Sequence, residues 1–401
     1  MLELEEALSR ILAALPAPTT ESVPLTEASG RFLAGRVTAS IDLPAFNNSA
    51  VDGYAVRAAD VVAARADAPV GLRLQGRAIA GRVFAEELRR GATVRLFTGA
   101  PMPRGADAVV MQEDTRRGPT EAQEILILDS VTAGENVRRQ GDDVQRGAVL
   151  GEPGQRLRVG RLSLLAASGL SALTVARRPR VALLATGSEL KEPGVPLRLG
   201  EIYESNRIGL AALVAQAGGT PEILPIVPDD PAATRAALAQ AFGASDMVVT
   251  SGGVSVGEMD FVKSAFEQLG GELDFWKVAI KPGRPFVFGR LGRKFLFGLP
   301  GNPVSALVTF ALLVRPALLR WQGASEVALP AYRGVLGEAL ANPGPRRHFL
   351  RVRTDGAGGV YSAGAQASHV LSSLAQASGW VDVPPQTALA AGTTVKVWCW
   401  D

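Results

Sequence analysis

The sequence predicts a multidomain fold of α/β plus β type, with a central open α/β sheet domain flanked by helical-linker and small β domains. Three observations lead there. From about residue 177 to 325 the chain alternates strand-like apolar runs with helical patterns, the signature of an open sheet with parallel strands. Residues 70 to 130 and 330 to 401 instead carry short strand-like runs separated by Gly and Pro. With 401 residues the chain also exceeds one ordinary hydrophobic core, so two to four domains are expected.

The elements follow in order. In MLELEEALSRILAAL, Leu4, Leu8, Ile11, Leu12 and Leu15 form one helical stripe, and the acidic residues are the opposite of what a secretory leader carries. TVRLFTG, DAVVMQE and EILILDS read as strands of a small β domain. RVGRLSLLAASGLSAL (158 to 173) reads as a helix, and with the N-terminal helix it brackets that β region, so a discontinuous domain is expected. In the central region VALLATGSE is a buried strand ending in a turn, YESNRIGLAALVAQAG a helix, and EILPIVPDD a strand ending in acids before the helical DPAATRAALAQAF. The strand DMVVT, the loop SGGVSVGEMD and the helix DFVKSAFEQLGG come next. A β-rich stretch, FWKVAIKPGRPFVFGRLGRKFLFGLPG, leads to a helix from about Pro303 to Trp321, and YRGVLGEAL, HFLRVRT, GWVDV and TTVKVWCW close the chain as short strands.

Composition narrows the chemistry. The chain is 47% apolar and 20% charged, which describes a globular protein, and no apolar run long enough to cross a bilayer is evident, so a cytoplasmic protein without a membrane partner is expected. Cys399 is the only cysteine, which excludes a disulfide framework and a thiolate zinc site. The net charge of +3 is small and no block of Lys or Arg marks a nucleic-acid arm. Only His348 and His369 supply imidazoles, so acid, base or metal work falls to Asp, Glu and Lys. Of 36 Arg and six Lys, three lysines, Lys263, Lys277 and Lys281, cluster behind the glycine-rich loop. Chance accounts for that, or a compact ammonium is required beside an anion.

Ligands of open α/β sheets bind at the carboxyl ends of the strands. Here those ends carry TGSE, PDD, SGGVSVGEMD and LPGNPVS, so polar residues gather on one edge. Gly252 and Gly253 let backbone N–H groups approach a ligand, Ser251 and Ser255 add hydroxyls, and a helix starting near Glu258 would aim its positive end at the same place. The alternative is a connecting turn with Asp260 as its N-cap. Glu189, Asp229 and Asp260 form a carboxylate set suited to Mg²⁺, although Asp229 and Asp230 before Pro231 are equally a helix start. With Lys277 and Lys281 they make a mixed-charge crevice fit for a phosphate-bearing substrate and its metal. Pro300, Asn302 and Pro303 fix the backbone before a helix whose first turn holds Ser305, either an anion site or a rigid cap. Upstream, Asp52 in FNNSAVDGYAV belongs to an Asp-Gly turn or to a site. Arg138, Arg139, Asp142 and Asp143 in NVRRQGDDV form a site or a solvated charge cluster.

Taken in order, FNNSAVDGYAV, FTGAPMP, NVRRQGDDV, ATGSEL, TSGGVSVGEMDF, FWKVAIKPGRP and GLPGNPVSAL resemble the molybdopterin molybdenumtransferase family, called MoeA in bacteria and the E domain in gephyrin. The resemblance runs over essentially the whole chain. It implies four domains: residues 1–43 with 145–176 as a discontinuous helical linker, 44–144 β-rich, 177–328 an α/β domain of molybdopterin-binding type, and 329–401 a C-terminal β-barrel-like domain. It implies a homodimer with an active site between subunits, and a molybdopterin adenylyltransferase as upstream partner. The implied reaction converts adenylyl-molybdopterin and molybdate into molybdenum cofactor and AMP, with Mg²⁺. By motif position Asp52, Thr98, Arg138 and Asp143 resemble one subunit's contribution. Glu189, Asp229, Asp260, Lys277 and Lys281 resemble the catalytic groups of the α/β domain, with Thr186, Gly187, Ser251, Gly252 and Gly253 beside them. Ser305, Arg351 and Ser368 resemble the molybdate-binding positions.

The sequence departs from the family pattern at Asn47, Val51, Gln140, Arg284 and His348, which bears on the charge of the anion path and on the register around Arg351. Two other functions share part of this motif set. A molybdopterin adenylyltransferase would consume ATP with free molybdopterin, and a gephyrin-like scaffold would keep the fold without turnover.

Overall fold

A computed structural model describes residues 1–119, 123–254 and 261–399. The chain divides into two compact units, one of residues 1–35, 153–157 and 173–401, the other of residues 36–152 and 158–172.

The larger unit is built on a six-stranded sheet in the order Thr220–Ile223, Arg180–Ala185, Met247–Ser251, Lys294–Leu299, Pro285–Leu291 and Glu272–Lys277. The first four strands are parallel, as the alternating pattern predicts. Pro285–Leu291 runs antiparallel to both of its neighbours, so the sheet is mixed rather than wholly parallel. The reason is local: only two residues, Gly292 with φ 59° and Arg293, join Leu291 to Lys294, and so short a link permits only a hairpin.

Both faces of this sheet are covered, which is why its strands read as continuous apolar runs. Val181, Leu183, Met247, Val249, Phe295 and Phe297 face Leu210, Val214 and the 303–321 helix. Ala182, Leu184, Val248 and Leu296 face Leu238, Phe242, Val262 and Phe266 on the other side. Successive residues alternate between the layers with the strand period of two. The N-terminal helix Leu4–Ala14 buries Leu4, Ala7 and Ile11 in the first layer.

Asp230 caps helix Pro231–Ala244, accepting from the Ala233 N–H at 2.7 Å, with Pro231 at the position where a missing N–H costs nothing. Helix Asn206–Gln216 is shorter than its sequence pattern, because Ile202–Tyr203 pairs as a strand with Leu190–Lys191. The helical segment Pro303–Trp321 widens into a π-helical turn at Phe310–Val314, just ahead of Pro316, whose ring removes a donor. Contrary to the sequence reading, this segment is long and apolar enough to cross a membrane by length and composition, but it is mostly buried as a core element.

In the C-terminal part, Arg347–Thr354, Gly359–Ser362, Ala331–Leu336, Thr394–Trp398 and Gly379–Val383 pair in that order, and Gly379–Val383 pairs back to Arg347–Thr354. The five strands therefore close into a barrel around Leu350, Val352, Val360, Val381 and Val397. Ile280–Lys281 joins the start of Arg347–Thr354, bringing Lys281 opposite His348.

The smaller unit is a six-stranded sheet in the order Ala108–Met111, Gly53–Val56, Ala92–Leu96, Val70–Ala78, Glu124–Ile127 and Thr115–Arg117. Two short pairs, Asn48–Ser49 with Val137–Arg138 and Val37–Thr38 with Val149–Gly151, and the helix Val159–Ala167 complete it.

Candidate active site

Register builds the site in the larger unit. Ser251 lies opposite Ala185 on one side and Leu299 on the other, so three neighbouring parallel strands end level. The segments that follow, Thr186 to Glu189, Gly252 to Val254 and Pro300 to Pro303, must therefore share one edge. Backbone bonds pin them there: Thr186 N–H donates to Ser251 O at 3.1 Å, Gly252 N–H to Leu299 O at 3.1 Å, and Gly187 N–H to Val227 O at 3.0 Å.

These segments surround a cavity of about 360 Å³ whose wall includes Thr186, Gly187, Glu189, Asp229, Gly252, Gly253, Pro300, Asn302 and Ser305. The paired glycines are required by geometry. Gly252 has φ 90°, and a Cβ there would lie 2.8 Å from the Thr186 carbonyl oxygen; at Gly253, φ 66°, it would lie 2.7 Å from Val262 Cγ2. A second cavity of about 570 Å³ shares Thr186, Glu189, Gly301 and Asn302 with the first and adds Ser251, Pro303, Tyr203 and His369.

The two described carboxylates have different settings. Asp229 Oδ2 accepts from the Ser188 N–H at 3.0 Å, and Ser188 Oγ accepts from the Asp229 N–H at 3.0 Å, a reciprocal clasp between two strand-end segments. Capping falls to Asp230 instead. Glu189 is exposed on the rim of both cavities. Ser305 is buried in the first turn of its helix and faces the smaller cavity. Ser251 sends its hydroxyl elsewhere, accepting from Asn206 Nδ2 at 2.6 Å. Asp260, like Ser255 and Glu258, lies outside the described residues.

Lys277 ends the edge strand Glu272–Lys277, and Lys281 follows four residues on, both half-buried and neither lining these two cavities. Arg351 is 0% exposed: Nε donates to Ser373 Oγ at 2.9 Å and Nη2 to the carbonyls of Ala365 and Ala367 at 2.7 and 3.1 Å. Its guanidinium thus holds the segment leading into Ser368, and its Nη1 is buried without a partner. Ser368 meets the helix start through its backbone, its carbonyl accepting from the Val304 N–H at 3.1 Å. His348, 4% exposed, has both ring nitrogens unpartnered. Burial, then the positive charges of Lys281, Arg351 and Arg346, push its pKa down to about 4, so the ring is neutral near pH 7.

In the smaller unit, Asp52 Oδ1 accepts from Thr98 twice, from N–H at 2.7 Å and from Oγ at 2.8 Å. These bonds, with Arg95 nearby, hold the Asp52 carboxyl below the usual carboxylate range. Arg138 lies on the strand that pairs with Asn48–Ser49, four residues ahead of Asp52. Asp142 closes the adjoining turn by accepting from the Arg139 N–H at 2.6 Å, and Asp143 is tied by its own N–H to Leu43 O at 3.0 Å. Two of the departures meet here, Asn47 Oδ1 accepting from the Gln140 N–H at 2.8 Å.

Among the described residues, no three His, Cys, Asp or Glu side chains converge as a metal site. Glu189 and Asp229 nevertheless line one cavity beside the glycine loop. One or two carboxylates, with phosphate and water, are the usual protein share of a Mg²⁺ site, so this donor set fits that ion. The sequence reading passed over Asn206, which the structure buries against Ser251 and Gly301. The available signal was the run Glu204, Asn206, Arg207 at the head of an otherwise apolar helix.

Comparison with known proteins accounts for nearly the whole chain. Three family models match: the MoeA N-terminal region (domain I and II) over residues 2–169, a "probable molybdopterin binding domain" over 182–320, and the MoeA C-terminal region (domain IV) over 333–400. A molybdopterin molybdenumtransferase of Haemophilus influenzae is 38% identical, covering 99% of this chain and 98% of its own length. Molybdopterin molybdenumtransferase 2 of Mycobacterium tuberculosis is 42% identical over 94% of both chains. The crystal structure of a molybdopterin biosynthesis MoeA protein from Pyrococcus horikoshii superposes with a TM-score of 0.84 at 32% identity, covering 100% of each chain.

Proposed function

Because this chain belongs to the molybdopterin molybdenumtransferase family, transferases that insert molybdenum in molybdenum cofactor biosynthesis, we propose that it takes adenylyl-molybdopterin and molybdate and releases AMP with Mg²⁺. The observation that carries this reading is the level ending of three strands at Ala185, Ser251 and Leu299, which surrounds one cavity with a glycine loop, two carboxylates and the Ser305 turn.

In this reading the Gly252–Gly253 backbone holds the phosphoanhydride, where fixed donors outweigh any need for a strong base, and the Ser305 turn faces the molybdate beside it. Glu189 and Asp229, with Asp260, would hold Mg²⁺, which supplies charge neutralisation at the phosphates. Thr186, Gly187, Ser251, Pro300, Asn302 and Pro303 shape the cradle. Lys277 and Lys281 favour the dianionic molybdate, and Arg351 sets the loop that presents Ser368. The two sulfurs of the substrate replace oxygen on molybdenum, releasing the equivalent of one water, and opening the anhydride consumes one.

We assign Asp52, Thr98, Arg138 and Asp143 to the same reaction, offered by one subunit of a homodimer to the α/β domain of the other. A molybdopterin adenylyltransferase supplies the substrate, and the cytoplasm is the compartment. The division into 1–43 with 145–176, 44–144, 177–328 and 329–401 is kept as the domain proposal.

AMP release from adenylyl-molybdopterin by the purified protein, with and without molybdate and Mg²⁺, tests the reading. Molybdate-dependent release yielding a cofactor that activates an apo-molybdoenzyme is expected, as is a fall of about tenfold or more in Asp260→Ala. ATP consumption with free molybdopterin would favour the adenylyltransferase alternative, and tight substrate binding without release would favour a scaffold.

A further inference from the structure

We propose that Asn206 is the positioning residue that holds the two glycine-bearing loops of the cavity at a set spacing, so that a phosphate-bearing substrate meets donors already in place. The proposal rests on the reading that this strand-end cavity is where the reaction occurs. Asn206 is 8% exposed and begins the helix Asn206–Gln216. Its Nδ2 donates twice, to Ser251 Oγ at 2.6 Å and to the Gly301 carbonyl at 2.7 Å. Ser251 leads directly into Gly252–Gly253, and Gly301 leads into Asn302–Pro303 and the turn that holds Ser305. One planar amide therefore spans both loops.

The loops touch glycine to glycine in front of it: a Cβ on Gly301 would sit 3.6 Å from Gly252 Cα. So close an approach leaves no side chain there to set the distance, and besides Asn206 the loops share the bond from Gly252 N–H to Leu299 O. A hydroxyl has one proton to give and a carboxylate has none, so neither reproduces a fork of two donors from one trigonal nitrogen. Asn206 is itself held firmly. Its N–H donates to Glu204 Oε1 at 2.7 Å, the Arg207 N–H to the same oxygen at 3.0 Å, and Arg207 Nε to Glu204 Oε2 at 2.8 Å. The helix start is thus anchored by a buried ion pair, and the amide inherits that rigidity.

Asn206 Oδ1 is buried without a partner. Leucine, of similar size, would avoid that penalty, so it is the two donated bonds that this position keeps. The side chain also lines the larger cavity, whose wall shares Gly301 with the smaller one. A shift of the loops would therefore alter both chambers together.

The test compares Asn206→Leu, which keeps the volume, with Asn206→Ser, small enough to admit a bridging water should the first variant fold poorly. Molybdenum insertion is followed by activation of an apo-molybdoenzyme, giving KM for adenylyl-molybdopterin and Ki for inorganic pyrophosphate, with melting temperature as the check on folding. Both constants are independent of how much protein is folded. Asn206→Leu is expected to raise each by about tenfold or more, with a smaller rise in Asn206→Ser. A merely structural role would lower the melting temperature and leave both constants unchanged. Unchanged constants in the Asn206 variants, with a rise in Gly252→Ala, would overturn the proposal and leave the cavity as the site. Unchanged constants in all three would overturn the proposal and the cavity reading together.

Discussion

Glu204 and Arg207 form an ion pair in which Arg207 Nε lies 2.8 Å from Glu204 Oε2 and both side chains are only 3% exposed. The guanidinium also reaches the Leu224 carbonyl and Glu192, so most of its donors are used. Burial of one charge without the other is what such a pair forbids. Arg207→Met is expected to cost about 3–5 kcal/mol in urea unfolding, and replacing both partners with apolar residues is expected to cost less than the single change.

The two cavity glycines differ in what a methyl group would strike. At Gly252 the obstacle is the Thr186 carbonyl, part of a backbone pinned to Ser251, whereas at Gly253 it is the side chains of Val262 and Thr186. Side chains turn aside more readily than backbone. Gly252→Ala is therefore expected to lower molybdenum insertion by about 100-fold, and Gly253→Ala by about tenfold, in assays at equal folded concentration.

Thr98 supplies both bonds that hold the Asp52 carboxyl below the usual range. A depressed folded pKa contributes stability that is present above the unfolded value and lost as pH falls through the folded one. Asp52 thus remains ionised at neutral pH. In Thr98→Val the N–H bond persists and the hydroxyl bond is lost, so the Asp52 titration seen by NMR is expected to move up, towards the ordinary carboxylate value. Asp52→Asn is expected to reduce AMP release about tenfold or more while leaving the melting temperature nearly unchanged.

His348 gives the opposite kind of group a similar pH signature. Its folded pKa, about 4, lies below the ordinary 6.5, so between those values the unfolded chain binds a proton that the folded chain does not. Stability therefore rises with pH across that window and falls on acidification, by about 3 kcal/mol in all. His348→Gln is expected to flatten the drop in urea-unfolding free energy between pH 6.5 and 4; an unchanged slope would refute the assignment.

Much of the fold was legible in one dimension because its signals are local. The continuous apolar runs of the covered strands, the Asp230–Pro231 helix start and the Gly252–Gly253 pair are each set by a residue and its near neighbours. The antiparallel hairpin was legible too, in the two-residue link at Gly292–Arg293, but the alternation of strands and helices around it pointed to a parallel sheet. Arg351 shows the opposite limit. Nothing in HFLRVRT says that its guanidinium is spent on Ser373 and on the carbonyls of Ala365 and Ala367, since those partners arrive from other turns of the chain.

Residue order alone pointed to most of the strand-forming segments and to the glycine, hydroxyl and carboxylate groups that follow them, because steric freedom and apolar runs act within a few residues; it read Tyr203 as helix and ran the strand Thr220–Ile223 on to Asp230. Packing supplied the rest: the register that levels Ala185, Ser251 and Leu299, and the amide of Asn206 that bridges Ser251 and Gly301. Those partners are 45 and 95 residues away along the chain, and contacts at such separations arise only when whole layers bury their apolar faces together.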